Sequence, residues 1–298
     1  MIEQKLWTAC VTPFLAEEKG IDWKSLMHLL YRQEEAGNGI LLLGSTGEAL
    51  SLSWQERRAL IEKACSLELQ VPILVGVPAA TLEESLAWID FCNSLPLAGY
   101  LIAPPSYSKP GAWGQIHWFT ALLNRAHHPV MLYNIPSRTG VSLLTQAVCK
   151  LKSHEQLVAI KEASGTLESL ISYQNVAPHL SLFCGEDRML PAAVAMGACG
   201  WVSVSANLWP TAASCYLREL LSGHFPEPTL WWNAHTALSS ASNPIPVKAL
   251  LSDLQLICSY LVRSPLDSDD LPSLDPLRKA HRAISEWEKK KKIQVHPL

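Results

Sequence analysis

The chain has 298 residues, 48% of them hydrophobic and 17% charged, enough apolar surface to offset the entropy of ordering, which excludes a disordered tract. Lys and Arg total 24 against 27 Asp and Glu, and the formal charge of −3 is too small to draw nucleic acid or an anionic membrane by charge alone. Any anionic ligand therefore needs a local site.

Strand-like runs are predicted at Leu6–Val11, Gly39–Leu43, Pro72–Val75, Gly99–Ala103, Val130–Tyr133, Leu157–Ile160, Leu180–Cys184 and Gly200–Val204, several of them continuously apolar, as strands covered on both faces are. Helical signals lie between them. Asp22 opens an amphipathic run to Ala36, Ser53 with Glu56 forms a capping box for a helix reaching Leu69, and Thr81 with Glu84 forms another. Strand followed by helix, eight times over, predicts an α/β fold of the (β/α)8 TIM barrel class. A helix over Thr211–Ser222 closes the barrel, Gly223, Pro226 and Pro228 break the chain, and the remainder is helical to Glu288 apart from a break near Pro265–Pro276. The predicted organisation is thus a barrel, 1–224, with a C-terminal helical appendage, 225–298.

From Met189 to Leu217 no residue is charged, and a hydropathy window of about 19 residues would mark the stretch as membrane-spanning. Pro191, Gly197, Gly200, Asn207 and Pro210 cut it into pieces too short to cross a bilayer, so the expectation is helix, turn, strand, loop and helix in a buried core. The N-terminus lacks a basic segment followed by a long apolar run, which points to the cytoplasm. The eight cysteines show no C-x-x-C pair and read as buried free thiols. The tail run Lys289–Lys292 reads as a solvated helix end.

In such a barrel the chemistry collects where strands end and βα loops begin. Strand two runs into Gly44-Ser45-Thr46-Gly47-Glu48, strand four into Pro104-Pro105-Ser106-Tyr107, strand five ends at Tyr133 and leads to Arg138, and strand six ends at Lys161. A lysine leaving a water-poor interior loses hydration of its charged form, which makes a neutral, nucleophilic amine accessible and a Schiff base feasible. The alternative is an ion pair with a carboxylate such as Glu162, although adjacent strand residues face opposite ways. Arg138 offers a planar fork for a carboxylate, or is simply solvated. The Gly44–Gly47 stretch suits cradling a small carboxylate, while Ser45 with Glu48 also fits a capping box. Tyr133 and Tyr107 can move protons or can merely pack a rim. No H-x-H or H-E-x-x-H spacing, P-loop, G-x-S-x-G or dinucleotide fingerprint is present, so neither a metal nor a cofactor is expected.

Three motifs, Gly44-Ser45-Thr46-Gly47-Glu48, Tyr133-Asn134-Ile135-Pro136-Ser137-Arg138-Thr139-Gly140 and Lys161-Glu162-Ala163-Ser164-Gly165, strongly resemble the dihydrodipicolinate synthase (4-hydroxy-tetrahydrodipicolinate synthase) family of Schiff-base aldolase barrels. The likeness runs from strand one to Asn243-Pro244-Ile245-Pro246-Val247-Lys248. It implies a cytoplasmic homotetramer, a dimer of dimers, that condenses pyruvate with L-aspartate 4-semialdehyde in diaminopimelate and lysine biosynthesis without a cofactor. Lys161 is then the amine that attacks the pyruvate ketone and Tyr133 the acid and base. Ser45 stands where the family has a threonine linking two tyrosines in a proton relay, the other being Tyr107, which reaches across the dimer interface. Thr46 contacts the pyruvate carboxylate, the backbone of Val202 lines the pocket, and Arg138 holds the carboxylate of the aldehyde substrate.

Serine at position 45 keeps the relay hydroxyl but loses the methyl group that restricts its rotamer. In lysine-inhibited relatives the positions of Ser106, Trp54 and Ala80 carry a tyrosine, a histidine and an asparagine, so weak or absent lysine feedback is expected. The neighbouring family, N-acetylneuraminate lyase, often carries Gly-Ser-Thr-Gly-Glu, but Arg138 and Glu162-Ala163 argue against it. A non-catalytic binding or regulatory barrel is the most distant alternative.

Overall fold

A computed structural model describes residues 3–17, 20–78 and 81–291. In chain order its strands are β1 (Leu6–Ala9), β2 (Gly39–Leu42), β3 (Ile73–Gly76), β4 (Gly99–Ile102), β5 (Val130–Asn134), β6 (Leu157–Glu162), β7 (Ser181–Cys184) and β8 (Gly200–Ser203). The helices are α1 (Trp23–Glu35), α2 (Trp54–Cys65), α3 (Leu82–Cys92), α4 (Ala112–Arg125), α5 (Pro136–Thr139), α6 (Thr145–Leu151), α7 (Leu167–Val176), α8 (Leu190–Ala195), α9 (Pro210–Leu221), α10 (Pro228–Ala237), α11 (Ile245–Asp253) and α12 (Asp275–Lys291). The eight strands form a closed parallel barrel in the order β1 to β8, the (β/α)8 architecture that the alternation of runs predicts. All but one of the strand residues are fully buried, which is why they read as unbroken apolar runs rather than as alternating ones.

By internal packing the chain divides into two compact units, one formed by residues up to Lys5 with Pro72–Val202, the other by Leu6–Val71 with Ser203–Leu298. In the first unit β3 to β8 pair in succession, with a register irregularity at Val130/Met131. The box at Thr81 and Glu84 caps α3 as the sequence predicts. The apolar stretch from Met189 resolves into α8, β8, a 3-10 turn at Ser205–Asn207 and α9, and among the described residues no helix is long and apolar enough to cross a membrane.

In the second unit Asp22 caps α1 by accepting from the Ser25 amide at 3.1 Å. The helix turns a buried polar residue, Gln33, toward β1: its Oε1 accepts from Thr8 Oγ1 at 2.7 Å and from Asn38 Nδ2 at 3.0 Å, and its Nε2 donates to the Ala206 carbonyl at 3.0 Å. Both ends of the amide are thereby partnered, as burial demands. The capping box of Ser53 and Glu56 opens α2, which ends at Cys65 rather than at Leu69 because the chain turns there and Glu68 adopts a left-handed conformation, φ 51°. The C-terminal helices dock through aromatic rings: Tyr216 of α9 stacks on Trp231 of α10 with centroids 4.2 Å apart, and Trp287 of α12 meets Trp231 edge-on at 5.3 Å. The break between α11 and α12 begins at Leu254, earlier than the prolines alone suggest. Lys291 pairs with Glu219 of α9 at 2.7 Å, so one member of the basic tail run is not simply solvated, and Lys292 lies outside the described residues. All eight cysteines are free thiols, but only Cys10, Cys92 and Cys184 are buried; Cys65, Cys199 and Cys215 are half-buried, and Cys149 and Cys258 are exposed.

Candidate functional site

In the first unit the β5–β6 register sets Tyr133 opposite Lys161 and Asn134 opposite Glu162. Lys161 is 5% exposed and Tyr133 8%, and Lys161 Nζ stands over the Tyr133 ring, 4.2 Å from its centroid. The sequence places Lys161 at the end of strand six; the strand continues through Glu162, so the amine sits on rigid sheet. Gly185, just past β7, packs against its stem. A Cβ at that position would lie 2.5 Å from Lys161 Cε and 2.9 Å from both Lys161 Cγ and Ala163 Cβ, so the lysine stem would have to shift.

Lys161 does not pair with Glu162. The Glu162 carboxylate accepts from Asn134 Nδ2 at 2.7 Å and from the Ser164 amide at 2.6 Å, and among the described residues Lys161 Nζ has no hydrogen bond or ion pair. Strand alternation is the reason: neighbouring residues leave the sheet on opposite faces. Burial pushes the Glu162 carboxyl above its ordinary range, and the donors from Ser164 and Asn134 oppose that shift.

Arg138 is exposed on α5, a single turn opened by Pro136 and closed by Gly140, whose φ of 73° a side chain would strain. Tyr107 is 96% exposed, and its amide donates to the Thr139 carbonyl at 3.2 Å, which joins the loop after β4 to α5. Among the described residues no hydrogen bond links Tyr107 to Tyr133. Val202 is fully buried on β8. Among the described residues no cluster of His, Cys, Asp and Glu could hold a metal ion.

In the second unit the loop after β2 carries Ser45, half-buried, and Thr46, 3% exposed. Thr46 Oγ1 accepts from Asn243 Nδ2 at 2.9 Å. The capping box of Ser45 and Glu48 does not form. Glu48 sits at φ 52° with no capping hydrogen bond, and its carboxylate meets Lys248 Nζ on one oxygen and the Arg263 amide, at 2.7 Å, on the other. Lys248 also donates to the Leu261 carbonyl at 2.8 Å and stands over the Phe14 ring, 4.0 Å from its centroid. Burial lowers the Lys248 ammonium to about 8, against the raising effect of Glu48. Residue-level reading assigns no role to Gly185, Asn243 or Lys248. Only Lys248 leaves a trace, as a lone charge inside the apolar run Ile245–Leu251.

Over residues 3–283 the sequence matches the dihydrodipicolinate synthetase family. The chain belongs to that family. A family relative from Wolbachia pipientis subsp. Culex pipiens (strain wPip), named 4-hydroxy-tetrahydrodipicolinate synthase, is 50% identical over 282 residues, which cover 95% of this chain and 96% of that protein. The dihydrodipicolinate synthase of Cyanidioschyzon merolae, solved with lysine bound, superposes with a TM-score of 0.87 at 29% identity, covering 95% of this chain and 98% of that one. The chloride-inhibited dihydrodipicolinate synthase of Acinetobacter baumannii, complexed with pyruvate, gives 0.86 at 29% identity over 95% of this chain and 99% of that one. The family motifs thus fall on described, well-packed residues: the lysine and its tyrosine in one unit, the hydroxyl loop in the other.

Proposed function

We propose that this member of the dihydrodipicolinate synthetase family condenses pyruvate with L-aspartate 4-semialdehyde to 4-hydroxy-tetrahydrodipicolinate, in diaminopimelate and lysine biosynthesis, through a Schiff base on Lys161. The observation that carries the reading is a buried lysine, unpaired among the described residues, held over the face of Tyr133. The amine adds to the pyruvate ketone, water leaves after proton transfer from Tyr133, and the nitrogen becomes an iminium. That cation lies against the π-face of Tyr133, an interaction of about 0.5–2 kcal/mol. The iminium acidifies the methyl group; loss of a proton gives the enamine, whose carbon attacks the aldehyde. The amino group of the second substrate then displaces Lys161 from the imine carbon and closes the ring.

Ser45 and Tyr107 serve as relay hydroxyls, Thr46 and Val202 as pyruvate contacts, and Arg138 as the partner of the aldehyde substrate's carboxylate; the motif resemblance supports each role. The same resemblance supports a cytoplasmic homotetramer, a dimer of dimers in which Tyr107 completes a neighbouring subunit's site, and a barrel of 1–224 with a helical appendage.

Borohydride reduction in the presence of pyruvate tests the reading. A permanent pyruvate adduct on Lys161, absent in Lys161→Ala, is the expected result, and no adduct on the folded wild type overturns it. Turnover with aspartate semialdehyde and none with N-acetylneuraminate then fixes the aldehyde; the reverse pattern makes the chain an N-acetylneuraminate lyase.

A further inference from the structure

We infer that Glu162 is a positioning residue for the Schiff-base amine: through Asn134 it locks the ends of β5 and β6 so that Lys161 stays over Tyr133. Lys161 and Tyr133 share one face of the paired strands, and Glu162 and Asn134, one residue further along each strand, share the other. On that second face a continuous set of hydrogen bonds joins four segments. The Ser164 amide donates to Glu162 Oε1 at 2.6 Å, Asn134 Nδ2 to Glu162 Oε2 at 2.7 Å, the Leu143 amide to Asn134 Oδ1 at 2.8 Å, and the Tyr173 hydroxyl to the Leu143 carbonyl at 2.5 Å. The backbone repeats the pattern: the Ala163 amide donates to the Asn134 carbonyl at 2.9 Å and the Gly185 amide to the Glu162 carbonyl at 2.7 Å. The second of these bonds also holds Gly185 against the stem of Lys161.

The polarity of this set is fixed at both ends. The Leu143 and Ser164 amides are main-chain donors and cannot reverse, so positions 134 and 162 must each present an acceptor outward, which leaves one donor and one acceptor to meet between them. Asn134 with Glu162 satisfies every contact. With Glu162→Gln two NH2 groups meet in the middle, and with Asn134→Asp two carboxylates do. The double variant N134D/E162Q restores one donor facing one acceptor with the direction reversed. A group left without its partner here is buried, so each single variant loses a hydrogen bond that water cannot replace.

The inference rests on Lys161 being the imine-forming amine, and the test separates the two. The rate constant for borohydride-dependent fixation of pyruvate at Lys161, at saturating pyruvate, is measured with thermal melts for wild type, E162Q, N134D and the double variant. The expected result is about a tenfold or greater slowing in each single variant and recovery to within about threefold of wild type in the double. Wild-type rates in folded single variants overturn the role of Glu162, as does a double variant that melts like wild type yet traps as slowly as the singles. Absence of trapping in wild type overturns the Schiff-base reading itself. Should the singles not fold, Tyr173→Phe loosens the same set at its outer end and is expected to slow trapping severalfold; an unchanged rate in that variant counts equally against the inference.

Discussion

Asn243 donates its side-chain N–H to the hydroxyl oxygen of Thr46, 2.9 Å away and 197 positions earlier in the chain. With that oxygen already accepting, the Thr46 proton is free to point elsewhere, and a substrate carboxylate is the acceptor the proposed function supplies. Asn243→Ala is expected to raise KM for pyruvate about fivefold to tenfold, one hydrogen bond's worth. Asn243→Asp is expected to raise it further, because an aspartate can only accept and would draw the Thr46 proton to itself. Steady-state kinetics on the two variants check the order; equal KM values for both would contradict it.

Gly185 makes the opposite kind of contact, one defined by what is missing. A methyl group there must displace the Lys161 stem, with which it would share a separation of 2.5 Å. Gly185→Ala is expected to lower kcat about 100-fold, in line with an ångström-scale misplacement of a reacting group, with a smaller effect on the melting temperature. Loss of pyruvate fixation in step with kcat would place the defect at the amine.

Lys248 and Glu48 form an ion pair with side chains 0% and 1% exposed. Removing one partner strands a buried charge, so Lys248→Met is expected to destabilise the protein by about 3–5 kcal/mol. Glu48→Gln added to it should recover part of that loss, since no unpaired charge then remains. Urea unfolding of the two single variants and the double gives the coupling energy directly.

Glu56 both closes the capping box of α2 and receives the Arg263 fork at 2.5 and 2.8 Å, and the guanidinium holds its carboxyl at about 2 against an ordinary 4.5. A folded-state value below the unfolded one means that the stabilisation is fully present above pH 4.5 and is lost as pH falls toward 2. In Glu56→Gln the fall in urea midpoint across that window should be shallower than in wild type. A wild-type slope in the variant would locate the acid sensitivity elsewhere.

Turnover is expected to be insensitive to sub-millimolar lysine. By the motif resemblance, Ser106 and Trp54 stand where lysine-inhibited relatives carry a tyrosine and a histidine, and Ala80, which lies outside the described residues, replaces an asparagine. A phenol, an imidazole and a carboxamide able to meet an amino acid are thereby replaced by a shorter hydroxyl, a bulky indole and a methyl group. Inhibition in a coupled assay at such concentrations would refute this.

Much of the molecule was legible along the chain because the signals are local. Strands buried on both faces must be apolar throughout, and Asp22, Ser53 and Thr81 announce their helices within three residues. Lys161 stood out for the same reason, a cation ending an apolar run. The capping-box alternative at Ser45 and Glu48 fails for a non-local reason: a cation 200 positions away takes the carboxylate.

The sequence by itself determined the order and kind of the elements, the barrel class and the reactive side chains at the strand ends, since period, capping and composition act over a few residues. Only the tertiary structure decided which polar groups meet: Asn134 with Glu162, Asn243 with Thr46, Lys248 with Glu48, and Gly185 with the Lys161 stem. Burial makes each of those partnerships obligatory, but the identity of a buried group's partner is set by strand register and helix docking, which leave no mark at either position alone.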